Sequence, residues 1–325
     1  MKRIIIVIIY LLSFCFSSFA QEKRMGVIEL STVYMRLAPD YESALETQEL
    51  MGSVVEILEE KGYWRKISTS QPYVAWITNL GLIEMNKEEI EAYENASKYI
   101  FTEVYGHIYE KPSSSSAVIS DLVAGNILRK GSGRKNHCKW VEVLLPSGKN
   151  GWVLKSSIKD YEKWKAKAET NPDNIISWAK KFIGVPYLWG GMSSKGFDCS
   201  GLVRLVYRMN GKSLPRNASE QVNEGSPIKV EKDNAFWNEE CWGMNKVLLE
   251  QEMKKRMENL ERGDLVFFGR PGENGEKDRV THVGIYLGNN RIIHASQVVR
   301  INSLLPSDED YYENSHRFLS AVRIK

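Results

Sequence analysis

The sequence predicts an α+β protein in which two small all-β barrels precede a domain of helices packed on an antiparallel sheet. Three observations predict this architecture. Short β-rich runs separated by turn residues occur in two similar stretches before residue 160. Two segments with helical periodicity follow, and strand-like runs then occupy the chain from residue 265 to its end. Helices that precede consecutive strands in one domain are typical of a segregated α+β fold.

The N-terminus has the pattern of an export signal. A basic start leads into an apolar run that ends at Phe16, and Ser18-Phe19-Ala20 supplies small residues with the spacing of a cleavage site. The run is shorter than a membrane span. We therefore expect residues 1–20 to be a signal peptide that sends the chain to the periplasm or the exterior, with no integral membrane segment in the remainder. Bulky Phe14 disfavours the alternative of lipoprotein processing at Cys15.

Charge and cysteine content limit the classes of partner and cofactor. Without residues 1–20 the chain has 42 Lys and Arg against 41 Asp and Glu, which gives no support for binding nucleic acid or an anionic membrane surface. The three remaining cysteines, Cys138, Cys199 and Cys241, cannot all pair, so at least one thiol is expected to be free. Whether Cys138 and Cys241 pair is open. No Cys or His spacing indicates a metal site, and we expect no metal or other cofactor.

The two β-rich stretches are copies of one module. A proline and a glycine recur at an offset of 73 residues, and two tryptophans recur at an offset of 76. The pairs are Pro39 and Pro112, Gly52 and Gly125, Trp64 and Trp140, and Trp76 and Trp152. A nearly constant offset indicates duplication. We predict one small barrel over residues 25–86 and another over 100–160, with helical connections within 84–99 and 155–170.

A third domain is predicted over residues 171–325. Asn171-Pro172-Asp173 is a helix start, and the apolar residues from Ile175 to Ile183 fall on one helical face. A second apolar helix follows Cys199 and is stopped by Asn210-Gly211. The expected strands are Leu265–Phe268, Val283–Leu287, Arg291–His294 and Ser320–Ile324. Residues 231–259 interrupt the domain, and their charged helical pattern favours a surface excursion over a lid above the site.

Cys199 differs from the other cysteines in its surroundings. Asp198 and Ser200 can cap the helix that follows, and a thiol in the first helical turn experiences the positive end of the helix dipole. That dipole contributes about 0.3–1 kcal/mol, which is too little to bring a thiol pKa from about 8.5 to below neutrality. A nucleophilic Cys199 therefore needs an adjacent imidazolium.

Two histidines can supply that partner. His282 begins a strand-like run, and His294 lies in the next run, after the turn Gly288-Asn289-Asn290. Antiparallel neighbours place such residues side by side. We expect His282 to be the base and His294 to hold its tautomer by a hydrogen bond.

Several motifs, in this order, resemble one enzyme family. They are Pro186-Tyr187-x-Trp189-Gly190-Gly191, Phe197-Asp198-Cys199-Ser200-Gly201-Leu202, Leu214-Pro215-Arg216, Gly263-Asp264-Leu265-Val266-Phe267-Phe268, His282-Val283-Gly284-Ile285-Tyr286 and Ile292-Ile293-His294-Ala295-Ser296. Residues 174–325 thereby resemble the NlpC/P60 family of papain-like cysteine peptidases, which cut bacterial cell-wall peptides. The duplicated modules resemble bacterial SH3 (SH3b) domains in their Arg-x-x-Pro start and terminal Gly-Trp-Val, although the first copy has Ala75-Trp76-Ile77.

The resemblance assigns roles in catalysis and in substrate binding. It implies Cys199 as nucleophile, His282 as base and His294 as the orienting third member. It places the Tyr187 hydroxyl near the nucleophile and implies that Asp198 and Ser200 contact the substrate peptide.

Two further positions concern the substrate's free amine. Asn217-Ala218 stands where relatives often carry Asp-Ser, whose acid helps to bind that amine; without the carboxylate, recognition is lost or moves to another acid. Relatives with two SH3b modules line the site with a Tyr from the first module, and Tyr73 is the matching position.

These implications predict hydrolysis of the bond between D-γ-glutamate and a diamino acid, meso-diaminopimelate or L-lysine, in peptidoglycan stem peptides with free N-terminal L-Ala. Two alternatives stay open. One is a remodelling hydrolase of intact cell wall, and the other is a catalytically idle protein that binds the wall through its SH3b pair.

Overall fold

The computed structural model describes residues 23–70, 73–132, 138–231, 246–272 and 276–324. The predicted signal peptide, Cys15, Cys241 and residues 232–245 of the insertion lie outside these ranges. Among the helices of the described ranges, none is both long enough and apolar enough to cross a membrane.

The first module is a seven-stranded antiparallel sheet. Its strands are β1 (Arg24–Ile28), β2 (Thr32–Arg36), β3 (Leu45–Leu50), β4 (Val54–Lys61), β5 (Trp64–Ser68), β6 (Val74–Thr78) and β7 (Leu82–Met85). Their order is β3-β2-β6-β5-β4-β1-β7, and its core includes the fully buried Ile28, Met35 and Ile67. The all-β prediction is confirmed. Within the described residues the two outer strands, β3 and β7, do not pair with each other, so the pairing does not close the sheet into a complete barrel.

The second module repeats that topology. Its strands are β8 (Lys98–Phe101), β9 (Tyr105–Tyr109), β10 (Val118–Val123), β11 (Ile127–Lys130), β12 (Trp140–Leu144), β13 (Asn150–Leu154) and β14 (Ile158–Asp160). Its strand order is β10-β9-β13-β12-β11-β8-β14, which is the order of the first module with seven added to each strand number. Helix α1 (Lys87–Asn95) joins the modules, and Asn86 and Glu89 close its first turn with reciprocal hydrogen bonds. The repeated landmarks in the sequence therefore correspond to a repeated fold.

The predicted linker helix over residues 155–170 is shorter than expected. Residues 158–160 instead form β14, which pairs with β8 and buries Ile158. Helix α2 (Tyr161–Lys167) begins only after Asp160, whose side chain accepts a hydrogen bond from the Lys163 N–H at 3.0 Å. The charged composition of this segment favours a helix. The strand forms because it pairs with β8, which lies almost sixty residues away in the sequence.

The third domain combines helices with a six-stranded sheet. Its helices are α3 (Pro172–Lys181), α4 (Cys199–Arg208), α5 (Ala218–Gln221) and α6 (Lys246–Met257). Its strands are the hairpin β15 (Met192–Ser193) and β16 (Gly196–Phe197), and the sheet strands β17 (Ser226–Ile228), β18 (Leu265–Arg270), β19 (Arg279–Gly288), β20 (Arg291–Ser296), β21 (Val298–Ser303) and β22 (Phe318–Arg323). The sheet order is β17-β22-β18-β19-β20-β21. The predicted helices and antiparallel strands are present, and β17 and β21 are additional strands of the sheet.

The two faces of this sheet support different helices. On β18, Leu265 and Phe267 share a core with α4, whereas Val266 and Phe268 share a second core with α6. Alternating residues of a strand point to opposite faces, so α4 and α6 pack on opposite sides of the sheet. For the described part of residues 231–259, this corrects the expectation of a surface excursion, because Met253 in α6 is fully buried.

Candidate active site

Cys199 is the first residue of α4 and is nearly buried. Asp198 is the N-cap, and its Oδ1 accepts a hydrogen bond from the Gly201 N–H at 2.7 Å. A Cβ on Gly201 would lie 2.0 Å from the Gly191 carbonyl oxygen, so only glycine permits the helix start to approach the preceding loop this closely. The cap and this close contact fix the sulfur at the positive end of the helix.

The surroundings of Cys199 favour a neutral thiol in the free protein. Burial raises its pKa to about 11, and the negative charge of Asp198 acts in the same direction. The backbone N–H groups of Val283 and Ser200 bind the sulfur and oppose this rise. Because Val283 follows His282, these contacts bring the sulfur to the strand that carries the predicted base.

A buried ion pair supports the N-terminus of α4. The Arg216 guanidinium contacts both carboxylate oxygens of Asp198 and donates to the Ser200 hydroxyl at 3.0 Å. Arg216 is only 4% exposed, and its Nε donates to the Thr47 hydroxyl of the first module at 2.7 Å. Asp198 and Ser200, predicted to contact substrate, thus also hold the nucleophile in place.

The two predicted histidines are in contact. His282 Nε2 lies 2.8 Å from His294 Nδ1. The β19–β20 register pairs Ile285 with Ile293, which places Gly284 opposite His294 and His282 diagonally across from it. A Cβ on Gly284 would lie 3.3 Å from that of His294, so this glycine keeps open the space between the strands where the rings meet.

Both imidazoles are held neutral. Burial, followed by the neighbouring His294, lowers the pKa of His282 to about 3. Burial likewise lowers the pKa of His294 to about 4, against the opposing effect of its hydrogen bond with Asn302. Proton transfer from the thiol to His282 would create a thiolate–imidazolium pair with no change in net charge, which avoids burying one isolated charge.

Two residues of this site were missed in the sequence. Asn302, on β21, lies with its Oδ1 2.9 Å from His294 Nε2. The Tyr312 ring packs edge-on against His294 at 4.7 Å and lies 5.6 Å from His282, between ring centroids. Burial raises the pKa of Tyr312 to about 12, and the negative charge of a Cys199 thiolate adds to that rise. Tyr312 therefore lies beside both the sulfur and the histidine pair.

Tyr187 and Tyr73 approach the site from two domains. Burial raises the pKa of Tyr187 to about 12, with a further contribution from Cys199, so its hydroxyl stays protonated beside the sulfur. The Tyr73 hydroxyl donates to Glu46 Oε2 at 2.8 Å, and Tyr73 also experiences the charges of Arg216 and Glu220. The first module thus contributes a Tyr–Glu pair next to the ion pair that supports α4.

Asn217 is the N-cap residue of α5. Its backbone N–H donates to the Glu220 carboxylate at 3.1 Å, and its side chain is partly buried. The predicted binding residues therefore come from the segment between α3 and β15, the β16–α4 junction, the start of α5 and the first module. Within the described ranges, no three or more His, Cys, Asp or Glu side chains are grouped to hold a metal ion.

These features define a papain-like cysteine hydrolase site, and comparison with known proteins identifies the family. The NlpC/P60 family matches residues 184–319. The C-terminal part of the chain is therefore an NlpC/P60 domain, the catalytic unit of a cysteine-type peptidase, and the N-terminal all-β region is consistent with SH3b domains.

Similar proteins share most of this architecture. A gamma-D-glutamyl-L-lysine dipeptidyl-peptidase of Bacillus cereus is 26% identical over 287 residues, covering 85% of this chain and 75% of its own. The protein of that name in Bacillus subtilis is 26% identical over 304 residues, covering 91% and 86%. The crystal structure of an NlpC/P60 family protein from Bacillus cereus superposes with a TM-score of 0.70 at 23% identity, covering 92% of this chain and 99% of that one. This likeness shows that the fold extends through all three domains.

Proposed function

We propose that this protein is an exported cysteine peptidase that hydrolyses the D-γ-glutamyl–diamino acid bond of peptidoglycan stem peptides. The observation that carries the proposal is the buried Cys199 at the start of α4, whose sulfur accepts a hydrogen bond from the N–H of Val283, the residue after His282 in the hydrogen-bonded pair His282–His294. The relatives named gamma-D-glutamyl-L-lysine dipeptidyl-peptidases support this substrate class, with meso-diaminopimelate or L-lysine as the diamino acid. The export pattern of residues 1–20 supports a periplasmic or secreted location.

Acylation begins with proton transfer from Cys199 to His282. The sulfur attacks the γ-carbonyl carbon of D-glutamate, and the carbonyl oxygen becomes negative in the tetrahedral intermediate. We assign the Cys199 backbone N–H and the Tyr187 hydroxyl as hydrogen-bond donors to that oxygen. The C–N bond then breaks, and His282 gives its proton to the departing amine of the diamino acid.

Deacylation reverses the roles of the same groups. His282, neutral again, removes a proton from water while the water oxygen attacks the thioester carbon. The C–S bond breaks, the sulfur recovers the proton from His282, and the γ-carboxylic acid product gives its remaining proton to bulk water and leaves as the carboxylate. These two steps need no metal or redox cofactor, because every proton passes between the substrate, water, His282 and Cys199.

Glu46 is our proposed site for the substrate's free amine. Asn217 has no charge to offer an ammonium group, whereas the Tyr73–Glu46 pair presents a carboxylate from the first module close to Arg216. An ammonium group bound there would place a short L-Ala-γ-D-Glu segment between the first module and Cys199. This arrangement favours free stem peptides over intact wall.

The test compares L-Ala-γ-D-Glu-diaminopimelate with its N-acetylated twin, by mass spectrometry of released diamino acid. The unmodified protein should prefer the free peptide. Glu46→Gln should lower kcat/KM for that peptide about 10- to 100-fold, as expected for loss of one charged hydrogen bond. Glu42→Gln, an exposed carboxylate of the same module, is the matched control.

Each other outcome favours a different function. Equal cleavage of both peptides would argue for an open groove and a wall-remodelling hydrolase. Cleavage of neither peptide, and of neither of the corresponding L-lysine peptides, would favour a wall-binding protein and overturn the proposal.

A further inference from the structure

Asn302 joins the histidine pair to a backbone carbonyl through one side-chain amide. Asn302 is 7% exposed, and His294 is fully buried. The Asn302 Oδ1 lies 2.9 Å from His294 Nε2, and its Nδ2 lies 2.6 Å from the Asp310 carbonyl oxygen. The contacts therefore run without interruption from Asp310 through Asn302 and His294 to His282.

The chemistry of these atoms fixes where the protons are. A backbone carbonyl only accepts hydrogen bonds, so the Asn302 amide must turn its NH₂ group to Asp310 and its oxygen to His294. That oxygen also only accepts, so His294 Nε2 must carry a hydrogen. A neutral imidazole has one N–H, which leaves His294 Nδ1 as an acceptor and requires His282 Nε2 to donate.

We propose that Asn302 is a positioning residue that sets the tautomers of both histidines. With the His282 hydrogen on Nε2, the nitrogen left with a free electron pair is Nδ1, the one that takes a proton from Cys199. The opposite tautomer of His294 would put an N–H against the N–H of His282 and leave Nε2 without a hydrogen for Asn302. This inference rests on the proposed function and adds the residue that prepares its base.

The loop between β21 and β22 holds the Asp310 carbonyl in place. The Ser303 N–H donates to that carbonyl at 3.1 Å, and the Tyr312 N–H donates to the Ser303 carbonyl at 2.8 Å. The Asp310 carboxylate also pairs with Arg291, whose Nη2 lies 3.0 Å from Oδ1. The fixed carbonyl gives the Asn302 amide one favoured orientation.

The direct test is the tautomer of each histidine, measured by nitrogen NMR of full-length protein carrying ¹⁵N-histidine. Two-bond nitrogen–proton couplings identify which ring nitrogen carries the hydrogen, and Cys199→Ala protein gives spectra free of thiol oxidation. His282→Gln assigns the signals of the pair. We expect both His282 and His294 to be protonated at Nε2 near neutral pH. A hydrogen on Nδ1 of either ring would overturn the proposal.

Variants of Asn302 test whether the histidine tautomers affect catalysis. Asn302→Leu removes both hydrogen bonds at similar volume, so we expect mixed tautomers and a kcat about 10- to 100-fold lower, with KM within about twofold. Asn302→Asp keeps an acceptor for His294 and should retain more kcat than the leucine variant. Asn223→Leu, an exposed asparagine in the same domain, controls for the substitution itself. Unchanged kcat and tautomers in Asn302→Leu would refute the inference.

The two proposals fail in different ways. A protein that cleaves stem peptides but shows the opposite tautomers contradicts the role of Asn302 alone. A protein that cleaves none of them but shows the expected tautomers contradicts the proposed function and leaves Asn302 as the residue that sets the ring protons.

Discussion

Replacing Arg216 with methionine tests whether the buried ion pair supports the nucleophile. The change keeps most of the side-chain length but removes a guanidinium that contacts Asp198, Ser200 and Thr47. Asp198 is 7% exposed and would be left buried without its cation. Breaking such a buried pair costs about 3–5 kcal/mol. We expect a loss of that size in the free energy of unfolding.

The matched control is Arg262→Met. Arg262 and Asp173 form an ion pair at 2.8 Å, but their side chains are 56% and 81% exposed. An exposed pair contributes about 0–1 kcal/mol because water and salt screen it. Guanidinium unfolding of both variants at pH 7, followed by tryptophan fluorescence, compares a buried and an exposed pair in the same domain.

A second consequence concerns activity. Asp198 caps α4, so loss of Arg216 should misplace Cys199 and lower kcat even where the protein remains folded. Asp198→Asn added to Arg216→Met removes the stranded charge and should recover part of the stability. A loss for Arg216→Met no larger than that for Arg262→Met would refute the reasoning.

Three further predictions concern the histidine pair. Gly284→Ala brings a methyl group to 3.3 Å from the His294 Cβ, so kcat should fall at least about tenfold while the circular dichroism spectrum stays unchanged. A kcat equal to that of the unmodified protein would show that the histidine rings do not need the space left by Gly284. Because the His282 pKa is about 3, kcat/KM should change little between pH 7 and pH 5, whereas a base with an ordinary pKa of about 6.5 would lose about 25-fold. The lowered pKa values of His282 and His294 also predict that stability falls as the pH drops below about 6.5, because the unfolded chain binds these protons first. The slope should be up to about 1.4 kcal/mol per pH unit for each histidine, and His282→Gln should lose about half of it in urea titrations.

The predicted site residues that the structure brings together have local signals. A capping acid before Cys199 predicts a helix start, and alternating apolar residues on either side of a turn predict the strands that bring His282 and His294 together. These features depend on neighbours within a few residues, which a sequence displays directly.

The missed residues depend on contacts between distant parts of the chain. Asn302 lies in the strand β21, where nothing within a few residues marks it as a site residue, and it becomes part of the site only because β21 pairs with β20. The charged pattern of residues 231–259 favours a surface position for the helix α6. Met253 of α6 is nevertheless buried against the sheet face opposite α4. Arg256 is also buried there, and its Nη1 donates to the Phe318 carbonyl at 2.7 Å. The buried charge of Arg256 is compensated by Glu252, whose Oε1 lies 2.8 Å from Arg256 Nε, and composition alone does not show this pairing.

The most direct test of the account is the release of diaminopimelate from L-Ala-γ-D-Glu-diaminopimelate by three proteins. They are the unmodified chain, Cys199→Ala, and Cys138→Ala as a control at an exposed thiol. We expect equal release by the unmodified chain and Cys138→Ala, and no detectable release by folded Cys199→Ala. Appreciable release by Cys199→Ala, or no release by the unmodified chain from either this peptide or its L-lysine counterpart, would contradict the proposed reaction at Cys199.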